Sequence, residues 1–231
     1  MFDITPTEWT AILLSLRVAV IATLVATPFG IALAWLLARH DFWGKSVLDA
    51  LVHLPLVLPP VVTGYLLLLT FGRRGLVGAW LAEHLGIVFA FRWTGAALAC
   101  GVMSFPLLVR PIRLSIEAVD RRFEQAASTL GAAPWRVFAT VTLPLALPGI
   151  LAGMVLGFAK AIGEFGATIT FVSNIPGETQ TISSAIYSLI STPDGDVAAL
   201  RLVVVSIAIA VAALIGAEWF ARRATQRLHG N

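Results

Sequence analysis

Gly44-Lys45-Ser46 ends like a phosphate-binding loop, in which backbone amides and a lysine cradle nucleotide phosphates. That loop needs another glycine five positions before Gly44, and Arg39 stands there, so nucleotide binding by this chain is rejected. His53 reads as a helix-end residue rather than a metal ligand. Cys100 is the single cysteine, which rules out an internal disulfide, and its place within an apolar run makes it a small packing residue. Lys160 and Glu164, four apart, read as a local ion pair. A membrane-embedded enzyme would need a nucleophile with its base or a metal-binding pair, and neither Gly-x-Ser-x-Gly nor His-Glu-x-x-His occurs. The side chains thus offer no catalytic constellation, and no metal or cofactor is expected to be held.

What the chain does offer is apolar length. Charged residues make up 13% of it and mean hydropathy is +0.88, against roughly a quarter charged in an average soluble domain. Five stretches lack Asp, Glu, Lys and Arg: Val18 to Ala38, Ala50 to Gly72, Trp93 to Val109, Val137 to Ala159 and Leu202 to Ala217. A hydrocarbon core about 30 Å thick takes roughly 20 apolar residues as a helix. The runs are continuously apolar rather than alternating, which favours helices over a barrel. The expectation is one all-α integral membrane domain with about five transmembrane helices, a sixth or re-entrant piece around Leu76 to Phe91 being the open alternative.

The charges set an orientation. With the first residue outside, inside segments hold Arg39, Lys45, Arg110, Arg113, Arg121, Arg122, Arg136, Arg222, Arg223 and Arg227; outside segments hold Arg73, Arg74, Arg92, Lys160 and Arg201. Ten against five places the N-terminus outside and the C-terminus in the cytoplasm. The positive residues make no stripe interleaved with aromatics, so nucleic acid is not an expected partner. Asp3 and Glu8 stand where a signal peptide needs positive charge. The first helix is therefore expected to be retained, with Thr5 as N-cap, Pro6 at its first position and Glu8 three after the cap. The stretch from Glu164 to Asp196 is acidic and reads as an external loop, with a short helix over Thr179 to Thr192.

Between the third and fourth runs, Asp120 to Phe138 is polar enough to pass for a loop, yet its spacing predicts two short helices. Phe123, Ala126, Ala127 and Leu130 share one helix face, Gly131 suits a left-handed cap, and Pro134 can open a second helix carrying Trp135 and Phe138. The apolar face of such a hairpin must be covered by lipid, by its own bundle, or by a partner.

Ala126-Ala127, then Gly131, nine residues, and Val141-Thr142-Leu143-Pro144 resemble the Glu-Ala-Ala loop of binding-protein-dependent ABC importer permeases of the type I fold. Gly131 stands 100 residues before Asn231, the family's usual distance. Gln125 fills the position of the motif's acid, with Glu124 one place earlier. The resemblance runs from about Ala11 to Arg222. It implies a single type I transmembrane domain over residues 1–231 with a cytoplasmic coupling loop over 120–143, which docks on a partner ATPase. Glu124, Gln125, Ala126, Ala127, Gly131, Trp135, Leu143 and Pro144 are then the expected coupling residues.

Within the family, His53 to Val62, Gly163 to Thr168 and Asn174-Ile175-Pro176-Gly177-Glu178-Thr179 resemble permeases for molybdate and sulfate, and the compact length and the run Thr168 to Thr179 resemble the molybdate branch. The implied function is a path for molybdate or tungstate across the inner membrane, with sulfate or thiosulfate as the alternative. The implied partners are a second copy of the chain, two ABC ATPase subunits that bind the ATP, an external oxyanion-binding protein contacted near Gly177 to Asp196, and membrane lipid. A dianion in transit needs donors that hold it weakly, and Ser104, Thr168, Thr170, Ser173 and Asn174 are candidates, with ordinary interhelical polarity the competing reading. Gly149, Gly153 and Gly157 put three glycines on one helix face, for packing or for a pore-side or subunit contact. Pro28, Pro55, Pro59 and Pro60 mark bends that line the path or are filled by neighbours.

Overall fold

A computed structural model describes residues 4–229, and the side chains of residues 4–216. Asp3, used above against a signal peptide, and Arg222, Arg223 and Arg227, used for topology, lie outside the described side chains. Every described element is helical: α1 (Pro6–Arg39), α2 (Lys45–Val57), α3 (Pro60–Phe71), α4 (Leu76–Leu85), α5 (Trp93–Ala118), α6 (Arg121–Thr129), α7 (Pro134–Val137), a π-helical turn (Phe138–Thr142), α8 (Leu143–Leu145), α9 (Leu147–Ile162), α10 (Gly166–Val172), α11 (Ile182–Ile190) and α12 (Asp196–His229).

α1 begins as its local sequence dictates. Glu8 N donates to Thr5 Oγ1 at 3.3 Å, Thr5 N donates to Glu8 Oε2 at 2.6 Å, and Pro6 sits in the first turn. Two otherwise orphaned amides are thereby satisfied. Arg201 of α12 also reaches Glu8 at 2.8 Å, fixing the start of the first helix to the start of the last.

α1, α5 and α9 form the centre. Their contact is made by small residues: Ala19, Ala34, Ala96 and Ala99 are fully buried, and Cys100 is 1% exposed among them. In lipid no hydrophobic drive holds helices together, so close van der Waals approach must do it. The α9 glycines serve this. A β-carbon on Gly149 would collide with Ser115, one on Gly153 would lie 2.5 Å from the Leu108 carbonyl oxygen, and one on Gly157 3.5 Å from the Leu108 side chain. All three face α5 of the same chain.

The expected spans are of two kinds, unbroken and bent. α1, α5 and α12 are unbroken and long enough to cross a bilayer; the other two spans exist only if each of two bent pairs counts as one. The Ala50 to Gly72 run is α2 and α3, which meet at 115°, and the Val137 to Ala159 run is bent by 69° at Ala146. The first break falls at Leu58-Pro59, where the prolines remove donors from the helical ladder. Pro28 and Pro55 do not interrupt their helices, and neither do Pro106 and Pro111 in α5.

The reading of Glu164 to Asp196 as an external loop is corrected. Residues 166–172 form α10, with Ala167, Phe171 and Val172 fully buried, because Gly64 and Gly166 let α3 and α10 meet at backbone distance. α11 then packs on α1 and α12, its Ile182 N donating to Ser15 Oγ at 2.7 Å. The short helix expected over Thr179 to Thr192 is present as α11, opened by Thr181 as a capping box with Ser184. α4 fills the Leu76 to Phe91 stretch as a ten-residue helix, too short to cross.

Candidate functional site

The polar stretch between α5 and α9 is a helical hairpin at one end of the bundle. Asp120 caps α6, its Oδ1 accepting from Arg122 N at 2.9 Å, a contact of about 1 kcal/mol. α6 stops in a Schellman arrangement: Ala132 N donates to the Ala127 carbonyl at 3.2 Å and Gly131 N to the Ser128 carbonyl at 3.0 Å. Gly131 has φ +84° and open space around it, so its conformation, not crowding, requires glycine. Pro134 opens α7, and the chain passes through the π turn, where Leu143 N bonds back to the Phe138 carbonyl.

The hairpin presents what a soluble surface would hide. Leu130 is 89% exposed, Trp135 67% and Phe123 59%, with Arg136 stacked 5.2 Å over the Trp135 ring. These three sit on polar elements beyond the end of α5, beside exposed Arg121, Arg122 and Gln125. Ala126 is exposed between them, while Leu143 and Pro144 lie in the segment returning to the bundle. Such a cluster of unpartnered aromatic and aliphatic tips amid charge is what a protein contact uses.

Glu124 faces the other way. Its Oε1 accepts from Arg39 Nη2 at 2.9 Å, from Arg39 Nε at 3.2 Å and from the Thr142 hydroxyl at 2.6 Å, and Arg39 Nη2 also donates to the Val119 carbonyl at 3.1 Å. One residue of helix turns about 100°. Moving the acid from the position of Gln125 to that of Glu124 therefore rotates it from the exposed face to the bundle. Arg39 and Thr142 were not foreseen as site residues, because nothing local in sequence signals a contact across 85 positions. Next to them, Trp35 packs edge-on against Phe138 at 5.6 Å. On the turn after α1, Lys45 hydrogen-bonds Asp41 at 2.7 Å and holds its carboxyl below the usual range, with Arg121 of the hairpin adding a smaller pull.

The anion-path candidates are gathered in part. Thr168, Thr170, Ser173 and Asn174 all lie in or just after α10, whereas Ser104 is fully buried in mid-α5. Ser104, Thr168 and Thr170 donate their hydroxyls to the carbonyls of Gly101, Phe165 and Gly166, and Asn174 Nδ2 donates to Ser188 Oγ at 2.6 Å. Ser173 is exposed with φ +64°, a conformation that costs a non-glycine residue free energy. Glu164 is buried, bonded to Lys160 at 2.7 Å and to Ala167 N at 3.0 Å, so the expected pair also caps α10. A cavity of about 670 Å³ between α1, α2 and α5 is lined almost wholly by apolar residues such as Val25, Phe29, Pro55 and Phe105, with Thr94 and Trp93 the lining side chains that carry a donor. A smaller polar one of about 320 Å³ lies between α2 and the last turns of α5, where Arg113 bridges Asp49 at 3.0 Å and Glu117 at 2.8 Å beside His53 and Arg110.

Residues 26–226 match the family model described as the inner membrane component of binding-protein-dependent transport systems. The chain is 61% identical over 224 residues to the molybdenum transport system permease protein ModB of Escherichia coli (strain K12), covering 97% of this chain and 98% of the relative. It is 38% identical over 169 residues to the sulfate transport system permease protein CysT of the same organism, covering 73% of this chain and 61% of that one. In fold it resembles a chain of the bacterial alginate ABC transporter crystallised with an alginate pentasaccharide-bound periplasmic protein, with a TM-score of 0.74 at 19% identity over 96% of this chain and 81% of that chain.

Proposed function

This chain belongs to the family of inner membrane components of binding-protein-dependent transport systems, and on that premise we propose that it is the permease of an ABC importer carrying molybdate. Near-complete alignment at 61% identity to a molybdenum permease, against 38% over a shorter stretch to a sulfate permease, supports the substrate. The chain is a multi-pass membrane subunit and not an enzyme; its α-helical bundle supplies a path, and the energy comes from elsewhere.

The observation that carries the mechanism is the hairpin of α6 and α7, with Phe123, Leu130 and Trp135 exposed at one end of the bundle. It lies on the cytoplasmic side, where the excess of Lys and Arg falls, with the N-terminus outside and the C-terminus inside. Gln125, Ala126 and Ala127 let an ATPase surface approach closely, Gly131 sets the turn, Trp135 anchors, and Leu143 and Pro144 carry the displacement into α9. Two copies of the chain each dock one ATPase subunit, and ATP binds only there. When the ATPases close, the hairpins are drawn together and the path opens outward. An external binding protein then delivers molybdate over the surface around Gly177 to Asp196, and hydrolysis restores the inward-facing state. Of the five path candidates, Ser173 and Asn174 keep hydrogens free to donate to an anion in this conformation, whereas Ser104, Thr168 and Thr170 spend theirs on backbone carbonyls.

Uptake of labelled molybdate and labelled sulfate by a strain deleted for this chain, with and without its return, tests the reading. Restored molybdate uptake is expected, together with co-purification of an ATP-hydrolysing subunit. Restored uptake of sulfate alone would reassign the substrate, and purification without any ATPase would remove the mechanism.

A further inference from the structure

The Arg39–Glu124–Thr142 cluster joins three helices and a connector that are remote in sequence. Arg39 is in the last turn of α1, Val119 ends α5, Glu124 is in the first turn of α6, and Thr142 closes the π turn leading to α9. The side chains of Arg39 and Glu124 are only 9% and 19% exposed, so the pair is shielded from water and salt, unlike an ordinary surface ion pair. It has three charge-assisted or hydroxyl contacts on one carboxylate oxygen, which fix the geometry more firmly than a single bond would. Besides its two covalent ends, α6 has few other anchors: no residue of it is buried, and Ser128 and Thr129 bond only within the helix.

We propose that Glu124 is a positioning residue that ties the coupling hairpin to α1 through Arg39 and to the root of α9 through Thr142, so that hairpin displacement moves both helices together. This deepens the permease reading and rests on it. A hairpin held only at its ends would pivot at Val119–Asp120 and Val137–Phe138 and dissipate the stroke. The π turn at Phe138–Thr142 and the 69° bend at Ala146 are where such slack would arise. Glu124 is thus distinct from Gln125, Ala126 and Leu130, whose exposed positions meet the partner.

The test uses the whole transporter in proteoliposomes with its binding protein, scoring three quantities: ATPase co-purification, molybdate transported per ATP hydrolysed, and stimulation of hydrolysis by loaded binding protein. E124Q and R39Q are expected to keep the ATPase bound while transport per ATP falls about tenfold or more, within the usual range of couplings between linked sites. T142V removes one hydroxyl contact and is expected to lower the ratio severalfold with normal amounts of protein. The swap R39E/E124R is expected to recover part of the loss, which a purely local defect would not. Loss of ATPase binding by E124Q but not by R39Q would make Glu124 a docking residue and overturn the proposal. So would an unchanged transport ratio in T142V, which decides the matter if the charge variants fail to accumulate. Failure of the unaltered chain to hold an ATPase would instead strike the permease reading itself.

Discussion

The α1–α5–α9 centre and the α6–α7 hairpin are built by opposite means. The centre relies on absence of side chain: alanines and three glycines bring backbones together, with few polar atoms between them. The hairpin relies on specific polar contacts: an aspartate cap, a glycine turn and one shielded carboxylate, with Phe123, Leu130 and Trp135 left outward. Lipid cannot drive helices together, so a lasting contact in it must be close and continuous. At the water boundary, a few directed bonds hold a small element that must move as a unit. On the proposed mechanism, the difference separates residues whose loss is expected to unfold the chain from residues whose loss is expected to uncouple it.

The contrast is broken most severely at Gly153. Replacement by leucine puts side chain where the Leu108 carbonyl already lies 2.5 Å from an ideal β-carbon. Overpacking of this kind costs about 1–3 kcal/mol or more, and membrane content of the protein is expected to collapse, measured by immunoblot and by thermal unfolding in detergent. Gly131→Val is expected to act differently. It forces a β-branched residue to φ +84°, at roughly 1–2 kcal/mol of local strain, so folded protein remains while ATP-driven molybdate uptake falls about tenfold or more, in the range of allosteric couplings. A bundle melted by Gly131→Val, or transport intact after it, would erase the distinction between the regions.

Smaller changes sharpen it. Leu130→Ala and Trp135→Ala remove exposed apolar tips, and each is expected to weaken ATPase binding by about 1–2 kcal/mol, as truncated interface anchors do, without shifting the melting temperature. Titrating the ATPase onto permease in nanodiscs measures this. Asp120→Ala removes only the α6 cap, worth about 1 kcal/mol. It is expected to speed amide exchange across α6 while leaving α5 and α9 unchanged.

What could be read from sequence was local. Thr5, Pro6 and Glu8 specify their cap within four residues, and Gly131 and Pro134 announce the hairpin by the backbone geometry they require. The prolines were legible as a set but not one by one. Pro28, Pro55, Pro106 and Pro111 stay within continuous helices, and only the Leu58-Pro59-Pro60 step turns the chain through 115°. Whether a proline breaks a helix depends on what its neighbours offer the freed carbonyl, and that is tertiary. α10 was hidden for the same reason: its burial follows from the meeting of Gly64 with Ala167 and of Gly166 with Pro60, invisible in a segment whose composition reads as a loop. Glu124 lies in the first turn of α6, and the side it faces depends on Arg39, which the chain brings to it from another helix.

The dependence of transport on a docked ATPase is tested most directly by reconstitution. Vesicles holding this chain with its ATPase, given binding protein and ATP, are expected to accumulate labelled molybdate against its gradient, and vesicles holding the chain alone are expected to reach no more than equilibrium. Uphill accumulation by the chain alone would contradict the account at its root.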